Sequence, residues 1–408
     1  MKILIAHNSY QQAGGEDTAV KSEIALLRQH GHEVIEYRRN NLEIRDQSQV
    51  KTALSTLWSS QSNKELKLLC ERFRPELIHA HNTFPLISPS LYWFATYQRI
   101  PIVQTLHNFR LICPQAMLLR NGVVCEDCVG NFPWRATTRA CYHDSHLQSA
   151  VVTSMLGVHR FLGTYQHRVS AYIAMNHFCR NKFIAGGLPE EKIHIKPNFV
   201  DSKRQPNWAA RSDGLFVGRL SEEKGINTLI AAKKMLANAM NHQDKTVSTS
   251  IKIIGAGPLH KDVVEAFSGD YLGPQKPEAI FELLHKSSFL VAPSTCYETF
   301  GLAAAEAFSC GVPVIASRHG GLAELVTDDV NGLLFEPGNA NELAQKIAWA
   351  STHPEQMANM GRAAYEEYQN KYTPKRNYTL LMDIYQNALT SMGEQYANRT
   401  LFSIRGQN

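Results

Sequence analysis

Residues 2–37 read KILIAHNSYQQAGGEDTAVKSEIALLRQHGHEVIEY. Lys2–His7 is apolar and β-compatible, and the loop from Ser9 to Asp17 carries Gly14-Gly15. Thr18–His30 then places Val20, Ile24 and Leu27 at helical spacing, with Gly31 as a stop signal. Glu33–Tyr37 follows as a second strand. Strand, helix and strand at this spacing predict a right-handed βαβ unit, and therefore a parallel sheet.

The same rhythm runs outward along the chain. Leu77–His81 follows the Arg74-Pro75 break, Ile102–Leu106 is opened by Pro101, and Ile193–Lys196 ends at Pro197-Asn198. Residues 201–213, DSKRQPNWAARSD, are polar and read as a linker. The alternation restarts with strands expected at Gly214–Val217, Ser250–Ile254, Phe289–Ala292 and Val312–Ala316, and a helix at Gly225–Leu236. Helices are expected at 341–351, 355–371 and 376–392, with a loose polar tail from 394. The expected organisation is an N-terminal doubly wound domain over 1–199, with a cysteine-rich insertion at about 110–146, and a second over 200–375. A last helix and tail over 376–408 follow.

Composition narrows the function classes. With 408 residues, 44% hydrophobic and 19% charged, the chain is neither disordered, collagen-like nor a coiled coil. It contains no run of 18 apolar residues. Met1–His7 is expected to open a strand rather than a secretory leader, so a cytoplasmic protein with reduced cysteines is expected. Residues 1–199 carry 22 Lys+Arg against 15 Asp+Glu, and residues 200–408 carry 20 against 22. The basic first half points to an anionic partner such as the inner face of a membrane. No compact basic run interleaved with aromatics is present, so nucleic acid is not expected.

Four motifs carry chemistry. Cys296-Tyr297-Glu298-Thr299-Phe300-Gly301-Leu302 follows an expected strand, and Glu306 lies eight positions beyond Glu298. Thr299 is the expected N-cap, so the amides of Phe300, Gly301 and Leu302 are expected to form an anion site reinforced by the helix dipole. Gly218-Arg219-Leu220-Ser221-Glu222-Glu223-Lys224-Gly225 follows Gly214–Val217, and Arg219 and Lys224 could neutralise a diphosphate there. Gly255-Ala256-Gly257-Pro258 departs from a dinucleotide fingerprint at Pro258 and His260, and reads as a tight turn. Gly320-Gly321 opens a further helix. No Asp-x-Asp occurs, which agrees with cations and helix termini, rather than a divalent metal, carrying the diphosphate charge.

Together with Pro197-Asn198-Phe199-Val200-Asp201, Gly14-Gly15, His81-Asn82 and Thr105-Leu106-His107-Asn108, this set resembles the family 4 retaining glycosyltransferases. The resemblance implies the α/β GT-B fold, two Rossmann-like domains facing a central cleft, and no cofactor for the chemistry. It implies a nucleotide-sugar donor and a glycan or lipid-linked acceptor, in surface polysaccharide assembly. Arg219 and Lys224 would hold the donor diphosphate, Glu306 the ribose, and Glu298 the sugar hydroxyls beside Phe300, Gly301 and Leu302. His107 would reach the sugar or the reacting phosphate. Gly15 would approach the diphosphate, and Gly14 and His81 the acceptor, while His79 reads as structural. Front-face attack is implied, rather than a covalent intermediate on Glu298. A nucleotide-sugar epimerase, a phosphorylase and a non-catalytic nucleotide-sugar-binding subunit remain as alternatives.

The insertion adds Cys113, Cys125, Cys128 and Cys141. The Cys125-x2-Cys128 spacing suits a structural zinc, with buried or incidental thiols as the competing reading. Phe132, Pro133, Trp134, Arg135 and Arg139 mix aromatic and basic character, as an acceptor site or membrane contact requires.

Overall fold

The structure, a computed structural model, describes residues 1–11, 14–209, 211–240 and 250–405, with only the backbone of Asp46, Ala239, Met240 and 394–405. The chain divides into two compact units. One comprises Met1–Met117, Glu126–Lys196 and Asn377–Asn408, and the other Leu118–Cys125 and Pro197–Arg376.

The first unit holds strands β1 (Lys2–Ser9), β2 (Glu33–Asn40), β3 (Leu77–Ala80) and β4 (Ile102–Thr105). A short hairpin, β5 (Leu119–Arg120) and β6 (Val123–Val124), belongs to the second unit. The first sheet is completed by β7 (Ala171–Ala174) and β8 (Ile193–Ile195), in the order β2-β1-β3-β4-β7-β8, all parallel. The order reverses between β1 and β3, so loops leaving their carboxyl ends diverge and open a crevice. The helix after β1 runs Gly15–Gln29 and buries Val20, Glu23, Ile24, Leu26 and Leu27.

The second unit repeats this plan with β9 (Ser212–Val217), β10 (Ile251–Ile254), β11 (Tyr271–Gly273), β12 (Ser287–Ala292), β13 (Val314–Ser317) and β14 (Gly332–Phe335). Its parallel order is β11-β10-β9-β12-β13-β14, which reverses between β9 and β12. Phe216, Ile253, Phe289, Val291, Ile315 and Phe335 from the strands meet Ile226, Leu229, Leu343 and Ile347 from covering helices in one core. These β-branched and aromatic runs are buried on both faces, as a parallel sheet demands.

Besides the two-residue strands β5 and β6, three strands of the two large sheets escaped the sequence reading: Ala171–Ala174, Tyr271–Gly273 and Gly332–Phe335. At three or four residues each, they show too little periodicity to separate from loops. The expected loose tail is instead part of the helix Pro374–Arg405, and residues 406–408 lie outside the described ones. From Asn377 onward this helix belongs to the first unit, where Tyr378 stacks on His30 and its hydroxyl meets His32 Nε2 at 2.8 Å.

Candidate functional site

In the second unit, β9 ends into Gly218-Arg219-Leu220-Ser221, a single 3-10 turn at Glu222–Lys224, Gly225, and the helix Ile226–Met240. Gly225 has φ +73, and a Cβ there would lie 1.8 Å from the Pro293 carbonyl oxygen. The glycine therefore lets the loop after β9 press against the loop after β12. The backbone of Thr295 donates to Glu223 O at 2.9 Å and ties the two loops together. Gly255-Ala256-Gly257 supports the same loop from the β10 side. Leu220 N donates to Ala256 O at 3.0 Å, and a Cβ on Gly255 would meet Gly218 O at 1.8 Å.

This packing brings together residues 74 apart in sequence. Lys224 Nζ donates to Glu298 Oε1 at 2.5 Å, and Ser294 Oγ donates to the same oxygen at 2.6 Å. His319 Nε2 lies 2.9 Å from Ser294 O, and Gly321 N donates to Glu298 O at 2.7 Å. Burial raises the Glu298 carboxyl, but the Lys224 ammonium beside it more than compensates and holds it below the usual range. Burial likewise lowers Lys224, and Glu298 more than restores it. Glu298 is thus a carboxylate and Lys224 an ammonium at neutral pH. Arg219 is exposed at the end of β9.

Glu306 differs. It lies in the helix Leu302–Ser309, and its carboxyl makes no hydrogen bond or ion pair among the described residues. Burial pushes it up to about 7. A shielded carboxyl without a partner is suited to a ligand that brings hydroxyl donors. The helix begins two residues later than expected, with Gly301 as its N-cap instead of Thr299. Ala304 and Ala305 both donate to Gly301 O, so of the expected amides Leu302 alone lies in the first turn. The cause is the left-handed backbone at Gly301, φ +88, which ends the preceding loop.

In the first unit, His7 lies near the carboxyl end of β1, and the loops leaving β3 and β4 carry His81 and His107. Gly14 and Gly15 are exposed, and a Cβ on either would meet nothing within 4 Å. His81, expected at the acceptor, is only 4% exposed. Its Nδ1 lies 2.9 Å from His107 Nε2, and its Nε2 faces Glu23 Oε1 at 3.4 Å. His81 therefore sits behind His107 and touches other side chains of the network. His79, read as structural, is fully buried, with Nδ1 2.7 Å from Tyr385 Oη and Nε2 2.7 Å from Thr105 Oγ1.

Sequence reasoning missed the two charges that organise this network. Lys196 Nζ donates to Glu23 Oε2 at 2.8 Å and to Asn377 Oδ1 at 3.3 Å. Glu23, His79 and His81 also form the only group of three His, Cys, Asp or Glu among the described residues whose ligating atoms lie mutually within 4.8 Å. The cation in this pocket is Lys196. A carboxylate at position 23, inside the apolar stripe of Val20, Ile24 and Leu27, was the available signal. Glu16 was missed as well. It accepts from Tyr10 Oη at 3.0 Å and Asn108 Nδ2 at 3.3 Å, and burial pushes it up to about 7 against those bonds.

The four insertion thiols do not form such a ligand group among the described residues. Other interactions hold the segment. Lys182 Nζ donates to Glu126 at 2.6 Å, Arg139 pairs with Asp127, and Arg110 stacks over Phe84 and Tyr142.

Two six-stranded parallel sheets, each with polar and charged groups gathered where strand order reverses, define a doubly wound α/β protein. Residues 13–204 match the family described as Glycosyltransferase Family 4, and residues 211–367 match Glycosyl transferases group 1. The chain belongs to the family 4 glycosyltransferases, which have the GT-B fold. It is 32% identical over 204 residues to the uncharacterized glycosyltransferase MJ1178 of Methanocaldococcus jannaschii, covering 48% of this chain and 54% of that one. The matched segment thus spans about half the length of that relative. Identity to a glycogen synthase of Mycobacterium tuberculosis is 24%, over 77% of this chain and 69% of the relative. Among solved structures, Anabaena HepE in complex with UDP-glucose aligns over 95% of this chain and all of its own, with TM-score 0.63 and 19% identity.

Proposed function

We propose that the chain is a retaining glycosyltransferase that moves a sugar from a nucleoside-diphosphate sugar to a glycan or lipid-linked acceptor. The observation that carries this reading is the second unit's site. An ionised Glu298 is held 2.5 Å from Lys224, and a half-buried Glu306 without a side-chain partner among the described residues lies on the helix that follows. Arg219 and Lys224 hold the diphosphate, Glu306 takes the ribose hydroxyls and Glu298 the sugar hydroxyls, near Phe300, Gly301 and Leu302. Gly15 lets the diphosphate approach the backbone, and Gly14 the acceptor. His107 serves the sugar or the reacting phosphate. The bond from the anomeric carbon to the phosphate oxygen breaks, a bond to the acceptor oxygen forms on the same face, and the departing phosphate oxygen takes the acceptor proton. Arg219 and Lys224 stabilise the charge that develops on that phosphate. Glu298 already accepts two hydrogen bonds on Oε1, which favours a binding role over attack on the anomeric carbon.

HepE, solved with UDP-glucose, makes a UDP-sugar the first donor to test. A thermal-shift panel of UDP-, GDP- and ADP-sugars without added metal should show stabilisation by one class, lost in Lys224→Ala. Stabilisation that survives Arg219→Ala, Lys224→Ala and Glu306→Gln would sink the assignment. Donor consumption without an acceptor would favour an epimerase.

We propose further that the acceptor is met at an anionic membrane surface, in surface polysaccharide assembly. Phe132, Trp134 and Phe161 are 60%, 55% and 91% exposed in the first unit, with the exposed Arg135 next to Trp134 in sequence, and suit an interface of lipid headgroups. Among the described residues no helix is long and apolar enough to cross a membrane. Flotation with anionic vesicles at low salt tests this placement, and absence of binding would remove it.

A further inference from the structure

The first unit carries a second concave site, at the end of its sheet away from the histidine network. All six strands run parallel, so their amino ends share one edge, and His81 and His107 follow the other. A cavity of about 460 Å³ lies at the amino edge. It is lined by Ser170 and Ala171, where β7 begins, and by Lys192 and His194, around the start of β8. The last helix, Pro374–Arg405, contributes Asn387 and Ser391. Every lining residue belongs to the first unit.

The chemistry of the lining is one-sided. His167, Arg168, Lys192 and His194 meet a single carboxylate, Glu191, which is exposed and makes no side-chain hydrogen bond or ion pair among the described residues. The Arg168 guanidinium lies over the Trp93 ring at 4.1 Å, and that ring is fixed by the bond from its Nε1 to Thr164 Oγ1 at 3.0 Å. Stacking on an aromatic face leaves the N–H edge of a guanidinium for an oxyanion. Arg168 pairs with no carboxylate among the described residues, and its Nε is buried without a hydrogen-bond partner. A buried donor of this kind is rare in a native fold and calls for a bound group. Lys192 Nζ donates to Gln166 O at 2.8 Å and Val169 O at 2.9 Å, which holds the ammonium in place with one of its three hydrogens left to give. The rings of His167 and His194 make no hydrogen bond among the described residues. Donors thus come from three segments: the turn before β7, the start of β8 and the last helix. A tetrahedral phosphate offers oxygens to all three, and a planar carboxylate to fewer.

We propose that this cavity binds a phosphate group, carried by a small phosphorylated molecule or by a phospholipid headgroup, at a site distinct from the donor site of the second unit. Arg168 and Lys192 supply the charge, and His167 and His194 add N–H donors. The occupant bridges the last helix to β7 and β8, so it stabilises the first unit. Binding here requires no transferase activity.

The test uses the full chain at neutral pH. Thermal shift and calorimetric titration are run with inorganic phosphate and with glucose 6-phosphate, and flotation with phosphatidylcholine vesicles with and without phosphatidic acid. Wild type should bind and melt higher, and Arg168→Gln should bind about 10- to 100-fold more weakly, as expected for loss of a charge-assisted hydrogen bond. That variant also loses the stack on Trp93, so Ser391→Glu is the second arm. Ser391 is exposed and makes no side-chain hydrogen bond among the described residues, and the substitution sets a carboxylate at the cavity. It should melt as wild type does without ligand and lose the rise with ligand. Arg219→Ala/Lys224→Ala should keep this binding, so failure of the donor site and failure of this one are seen separately. Binding of the free phosphates upholds the site with a soluble ligand. Flotation that needs phosphatidic acid and is abolished by Ser391→Glu, without binding of the free phosphates, upholds it with a headgroup. Absence of binding to all three probes would overturn the proposal, as would binding that survives both Arg168→Gln and Ser391→Glu.

Discussion

Glu306→Gln is expected to stabilise the protein while weakening donor binding. The carboxyl is raised from its ordinary 4.5 to about 7 by burial alone. The folded protein therefore binds this proton more tightly than the unfolded chain does. The stability associated with that proton is fully present below about pH 4.5 and is lost as pH rises through about 7. At about 1.4 kcal/mol per pKa unit, the ionised carboxylate costs about 3 kcal/mol at pH 8. The neutral amide of Gln has nearly the same shape and no such cost. Urea unfolding of both proteins at a series of pH values from 4.5 to 8.5 would measure the difference. Glu306→Gln should match wild type at the acid end and exceed it by about 1–3 kcal/mol at pH 8, with the upper value set by full loss of the proton. The same variant should lose donor stabilisation in thermal shift, because the amide accepts less strongly from ribose hydroxyls. A stability difference independent of pH would refute the reasoning, since shape alone would then explain it. A variant with lower stability at pH 8 would show that Glu306 has a partner in the fold.

Three further outcomes are expected. Gly225→Ala should destabilise the second unit by about 1–3 kcal/mol from its left-handed backbone alone, and more from displacement of the Pro293 carbonyl, read as a lower urea midpoint together with loss of donor binding. Lys196→Met should cost about 3–5 kcal/mol by leaving the Glu23 carboxylate buried without its ammonium. A melt within about 1 kcal/mol of wild type would show that the pair is not buried as described. Metal analysis of the purified chain should find zinc well below one equivalent, because among the described residues Cys113, Cys125, Cys128 and Cys141 do not form a group whose ligating atoms lie mutually within 4.8 Å. A full equivalent, lost with unfolding in Cys125→Ser, would restore the four-thiolate reading.

Most of the architecture was legible in the chain itself. Buried parallel strands are continuous apolar runs, and Leu290–Val291 or Ile3–Leu4–Ile5 announce themselves wherever they fold. The residues of the second unit's site were legible too, because a loop between a strand and a helix is short, and its glycines and charges lie where the strand ends. The positions of Arg219, Lys224, Glu298 and Glu306 follow from local order of this kind. What local order could not reveal was pairing. The Lys224–Glu298 contact needs β9 beside β12 and Gly225 against Pro293, which is a matter of strand order. Glu23 and Lys196, separated by 173 positions, read as one more surface charge on a helix and one more at a strand end. Only the folded first unit places them together under His79 and His81. The reason is physical: secondary structure is dictated by short-range periodicity, whereas the partner of a buried charge is chosen by whichever distant segment the sheet brings alongside. The sequence by itself thus determined the sheets, the loops and the chemical types at their ends. The tertiary structure alone decided which charges are ionised, which histidine stands in front, and which stands behind it.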